Sequence, residues 1–165
     1  MVIPLFRGHT GERKVVAIPG QMLESDDVYY STEAGVLVAR VPRSSPRPHH
    51  LYNLAPNVAV EVDEAGLPVM IEVVRSKEYW AQRSKLEKIE DIRLGRVHFY
   101  GPLDYDYWTN PSAVVVCDIR GSSSIVEFYE DLPPIQGIQL SPRVIFFLTK
   151  AQSPSSILLR DFDNR

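Results

Sequence analysis

Val58-Ala-Val-Glu-Val-Asp-Glu-Ala-Gly-Leu-Pro-Val-Met-Ile-Glu-Val-Val74 decides the fold class. Val58, Val60 and Val62 alternate with Ala59, Glu61 and Asp63, the two-residue period of a strand with one buried and one wet face. Gly66 supplies the positive φ that closes a short loop, and the apolar residues resume after Pro68. The stretch reads as an antiparallel hairpin.

Working outward, short apolar runs punctuated by Pro and Gly recur along the chain. Val15 to Ile18 stops at Pro19-Gly20, Val36 to Ala39 leads into Pro42, Ala113 to Cys117 is continuously apolar, and Val144 to Leu148 is apolar on both alternating faces. Thirteen prolines confine helices and favour strands of four to six residues with turns between them. The run from Val144 to Leu148 needs cover on both sides, which marks a central strand. One proline-free segment, 76 to 94, carries Tyr79, Leu86, Ile89 and Ile92 at spacings of three, four or seven among alternating charges. Ser84 with Glu87 fits a capping box and Gly95 a stop, so a connecting helix is expected there. The expected fold class is therefore mainly β (α+β): antiparallel sheets from two related β units, with one helix around residues 76–94.

The two units come from a self-comparison. A shift of 78 residues lays Tyr29 to Val38 on Tyr107 to Val116, and Leu54-Ala-Pro56 on Leu132-Pro-Pro134. The shift then becomes 86, and Val58, Ala65, Pro68 and Ile71 meet Val144, Ala151, Pro154 and Ile157. This divides one compact domain, 1–165, into a first β unit at 28–75, a connector at 76–95 and a second β unit at 106–162. Units this small have little core of their own, so they are expected to bury their apolar faces against each other.

The first unit resembles a family of small, uncharacterised prokaryotic β domains. The likeness rests on Tyr29-Tyr-Ser-Thr-Glu-Ala-Gly-Val-Leu-Val38 and on the pattern Asp-x-Asp-x-x-Gly-x-x-x-x-Ile-Glu, in which Asp63, Gly66, Ile71 and Glu72 match and Glu61 replaces the first aspartate. It implies a compact sheet module of unknown activity and brings no catalytic residues with it. The second unit keeps only Ile157 of the pattern.

Composition narrows the function classes. The net charge of −3 lacks the cationic concentration that releases phosphate counterions, so nucleic-acid binding is disfavoured; Arg40, Arg43 and Arg47 form only a small cluster. No run reaches the roughly 18 apolar residues of a membrane span, and Met1 to Glu12 has no secretory-leader pattern, so the expected location is the cytoplasm. The single Cys117 sits in an apolar run, where a thiol behaves as a small hydrophobe.

Candidate site residues fall into three groups. His49 and His50, with Arg43 and Arg47, lie in a proline-rich loop; adjacent histidines in an extended chain point apart, so an exposed loop is the ordinary reading and a weak anion site is favoured over a metal site. Glu61 and Asp63 share a strand face and could pair as acid and base, although charges on a wet strand face are the ordinary case. Tyr105, Tyr107 and Trp108 are aromatics that pack cores first, and their apolar area with polar handles is also the chemistry of protein interfaces. No nucleophile elbow or phosphate loop is present. The expected function is a non-enzymatic interaction or self-association module, with a protein partner or a homodimer and with no metal or cofactor. The alternatives are a small hydrolase or metal-dependent enzyme using acidic residues and a histidine, and a nucleic-acid-associated regulator.

Overall fold

The computed structural model describes residues 14–42, 50–87, 89–100, 111–128 and 132–165. Fourteen strands are found among them: β1 Lys14–Pro19, β2 Asp27–Ser31, β3 Val36–Arg40, β4 His50–Ala55, β5 Val58–Val62, β6 Pro68–Val74, β7 Ala81–Gln82, β8 Ile92–Tyr100, β9 Val114–Cys117, β10 Ser124–Glu127, β11 Pro134–Ser141, β12 Val144–Thr149, β13 Pro154–Leu159 and β14 Asp163–Asn164. They form an eight-stranded sheet, β1-β8-β11-β12-β13-β10-β9-β7, and a six-stranded sheet, β14-β2-β3-β6-β5-β4. The hairpin quoted first is β5–β6, paired antiparallel with Val60 opposite Ile71.

Alternation explains the packing. Val28, Tyr30, Leu37, Ala39, Val60 and Ile71 on one face of the smaller sheet join Val126, Ile138, Phe146 and Ile157 of the larger in a single core cluster. Contact between the sheets is direct, as where the Tyr52 and Phe99 rings lie 5.2 Å apart. A polar tie supplements it: Arg143 donates from Nε to Asp26 Oδ1 at 2.7 Å and from its backbone N–H to Oδ2 at 2.8 Å.

One strand order occurs twice. β2-β3-β6-β5-β4 and β9-β10-β13-β12-β11 have the same succession, and every neighbouring pair within each set is antiparallel. The register matches as well: Tyr52 faces Val60 and Ile138 faces Phe146, a shift of 86 residues. Val28 faces Ala39 and Val115 faces Val126, a shift of 87. Both irregularities recur at the same shift of 86, between Asn53/Ala55 and Gln139/Ser141, and between Glu61/Val62 and Phe147/Leu148. The 78-residue register read from the sequence is not the one the pairing shows, because β9 takes the place of β2 and β10 that of β3. Short valine-rich strands fit any slot in a sheet, so slipping by one strand and its turn preserves the alternation.

The expected connecting helix over 76–94 does not form. Among the described residues the only helical piece is a 3-10 turn, Lys77–Tyr79. Leu86, Ile89 and Ile92 are spaced by three, and on a helix of 3.6 residues per turn such a series drifts by about 60° at each step. Instead this segment runs as an irregular strap over the outer face of the larger sheet. Leu86 is buried there with Val116, Ile125, Ile145, Phe147 and Leu158, and Ile89 and Ile92 pack against them. Ala81 and Gln82 pair with β9, a backbone ladder that an isolated helical turn cannot outweigh. The sheets are also mixed and not purely antiparallel: β8 with β11, β7 with β9, and β14 with β2 are parallel pairs.

The strap explains how the two strand sets diverge. β12 is buried throughout, with Val144, Phe146 and Leu148 facing the core and Ile145 and Phe147 facing the strap. In the smaller sheet the residues equivalent to Ile145, Phe147 and Leu158 are Ala59, Glu61 and Glu72, all only partly buried. No helix among the described residues is long and apolar enough to cross a membrane.

Candidate functional site

The structure gives Asp63 and Glu61 different surroundings. Asp63 follows β5 directly with 1% of its surface exposed, and its Oδ1 accepts from the backbone N–H of Ala65 at 2.9 Å and of Leu67 at 3.1 Å. Thr149, 86 residues later, does the same with Oγ1, accepting from Ala151 and Ser153. Asp63 is thus a turn-holding residue, engaged by its own loop. Glu61 lies on the outer face, between Leu51 and Met70 in register. It lines a cleft of about 420 Å³ with Arg40, Val41, Val69 and Met70, a lining that includes neither Asp63 nor His50. His50 opens β4 opposite Val62. Arg43, Arg47, His49, Tyr105, Tyr107 and Trp108 lie outside the described residues. Among the described residues no three His, Cys, Asp or Glu side chains gather as a metal site.

The structure brings together a different set. After β6 the chain crosses to the larger sheet, where β7 pairs in parallel with β9, Ala81 opposite Val116 and Gln82 opposite Cys117. After β13 it crosses the other way, where β14 pairs in parallel with β2, Asp163 opposite Tyr29 and Asn164 opposite Tyr30. Each strand set is therefore closed at its first strand by a two-residue segment from the other. Arg83 donates its backbone N–H to Cys117 O at 2.9 Å, and Arg165 its own to Tyr30 O at 2.7 Å, at equivalent positions.

Side chains lock both crossings. Arg83 makes a bidentate pair with Glu127 at 3.2 and 2.9 Å, and Arg165 with Asp27 at 3.2 and 2.7 Å. The Arg165 guanidinium also stacks 4.5 Å from the centre of the Tyr29 ring. Where the two segments meet, the Trp80 and Phe162 rings are 6.0 Å apart at 84°. Beside them the Lys77 ammonium faces three rings, Tyr30 at 5.0 Å, Phe162 at 5.4 Å and Trp80 at 5.6 Å, an arrangement of cation–π contacts. Lys77 Nζ also donates to Asn164 Oδ1 and to Gly121 O, and its backbone N–H donates to the Tyr30 hydroxyl at 3.0 Å.

The ion pairs leave an electrostatic signature. Hydrogen bonding from Arg165, aided by its charge and opposed by slight burial, holds the Asp27 carboxyl below the usual aspartate range. The same contact, with Asp163, pushes Arg165 upward, and Glu127 does this for Arg83. A carboxyl lowered on folding adds stability above its unfolded pKa of about 3.9 and loses it as pH falls through the lower folded value. The β14–β2 contact is therefore expected to hold at neutral pH and to loosen below about pH 4. Hydrogen exchange at the Thr32 amide, which donates to Arg165 O at 2.7 Å, reads this directly; protection unchanged down to pH 2 would contradict it.

Sequence reasoning missed these residues, though a signal existed. Trp80-Ala-Gln-Arg83 and Phe162-Asp-Asn-Arg165 share an aromatic-x-amide-arginine pattern in the segments that follow the equivalent strands β6 and β13. No protein-family model matches this chain, and no curated protein matches it.

Proposed function

We propose that the chain is a duplicated, non-enzymatic protein-interaction module that binds by strand addition, with a second copy of itself as the partner. The observation that carries this reading is the reciprocal crossing of β7 and β14, each completing the edge of the opposite strand set. A strand edge presents unpaired N–H and C=O groups, and adding an extended segment satisfies them without any special side chain. Here that mode of association is already in use within one chain. Duplication is supported by the shared order, register and irregularities at shifts of 86 and 87 residues. A hydrolase built on Glu61 and Asp63 finds no comparable support, since the Asp63 carboxylate is held by its turn.

Size-exclusion chromatography with light scattering tests the proposal. The mass is expected to rise from the 18.7 kDa of one chain toward twice that as concentration approaches roughly millimolar. A mass fixed at one chain over that whole range removes self-association.

A further inference from the structure

Two crossings of different sequence arrive at the same recognition chemistry. In Trp80-Ala-Gln-Arg83 and in Phe162-Asp-Asn-Arg165 the middle residues form the parallel ladder, and the arginine backbone N–H closes it. The guanidinium grips a carboxylate of the host strand set, Glu127 or Asp27. The aromatic ring inserts beside Lys77. What repeats is therefore the acceptor, a strand edge and a carboxylate that takes arginine in a fork, while the two aromatic rings meet in one shared recess.

Both segments lie exposed on their acceptors, and they differ in what anchors them. β7 leads into the strap, whose Leu86 is buried on the larger sheet. β14 is held at the surface, with the side chains of Asp163 and Arg165 about half exposed at 55% and 48%. An exposed two-residue ladder depends heavily on its ion pair, which salt screens and a competing segment can replace.

We infer that the edge of β2, Asp27–Ser31, is a binding site for an extended segment of the pattern aromatic-x-amide-arginine, filled by residues 162–165 of the same chain or of a second copy. The inference rests on the self-association reading and names its site. The tether gives the chain's own segment an effective concentration near millimolar, so exchange between copies becomes dominant only where the contact between copies is stronger than the internal one.

Two full-length variants test this, both altered at the surface. Asp27→Arg places two arginines together, and Arg165→Glu places two carboxylates together. Alone, each is expected to remain monomeric and to exchange its Thr32 amide at least about tenfold faster, as loss of a charge-assisted contact implies. Mixed in equal amounts, they are expected to form a dimer that dissociates as salt is raised, because the arginine introduced at position 27 of one chain meets the glutamate introduced at position 165 of the other. Both changes in one chain should restore Thr32 protection and the wild-type dependence of mass on concentration. The inference is overturned if the mixture stays monomeric up to roughly millimolar, or if neither single change alters Thr32 exchange. A wild-type chain that associates beside a mixture that does not would place self-association elsewhere. A dimerising mixture beside a monomeric wild type would support the site and remove only spontaneous association.

Discussion

Phe147→Glu is expected to unfold the protein, whereas the mirror change Glu61→Phe is expected to leave it folded. The two positions are equivalent in register, Phe147 opposite Gly137 and Ser156, and Glu61 opposite Leu51 and Met70. Their surroundings are not equivalent. Phe147 is fully buried beneath the strap with Leu86, and Glu61 faces outward on the uncovered sheet. Truncating a buried Phe costs about 3–5 kcal/mol, and leaving a carboxylate in its place adds several more. The sum matches the about 5–15 kcal/mol that holds a typical domain together. A surface change such as Glu61→Phe is expected to stay within about 1 kcal/mol. Urea unfolding followed by circular dichroism compares them, and similar midpoints for the two variants would mean that the strap does not seal the larger sheet.

Gly66→Ala is expected to cost about 2–4 kcal/mol, well beyond the roughly 1 kcal/mol expected for Gly121→Ala. Both glycines have positive φ, +81° and +70°. Conformation alone does not demand glycine in the β5–β6 turn, because Gln152 stands at the equivalent position with φ of 59°. The difference is proximity. A Cβ on Gly66 would lie 2.6 Å from the His98 ring and 2.8 Å from Phe99 O, whereas one on Gly121 would meet nothing within 4 Å. The Phe99 N–H donates to Gly66 O at 2.8 Å, so β8 cannot withdraw without breaking the contact between the turn and the larger sheet. Equal losses for the two alanine variants, measured in the same urea series, would contradict this docking.

The strands were legible wherever a side-chain pattern had one cause. Val58, Val60 and Val62 alternate because one sheet face is dry, and Val144 to Leu148 does not because the strap dries the second face. The segment 76–94 was misread because spacing by three serves a strap lying on a sheet as well as it serves a helix. Tyr79, counted toward the helical face, is 64% exposed, which no buried helical stripe would allow. The parallel crossings were not legible from periodicity, since strands of two residues have none. Asp63 is open to more than one reading in the sequence because an acidic residue beside Glu61 looks the same whether it meets water, substrate or its own turn amides. Only the hydrogen bonds to Ala65 and Leu67 separate these.

The central claim is that two equivalent strand sets close each other's edges. Backbone couplings across hydrogen bonds, measured by solution NMR on the intact chain, test it most directly. The expected pattern joins Arg165 N–H to Tyr30 O and Arg83 N–H to Cys117 O, together with Val60 paired to Ile71 and Phe146 to Ile157. Couplings that instead returned β7 to the smaller sheet or β14 to the larger, or that put the two hairpins in different registers, would contradict it.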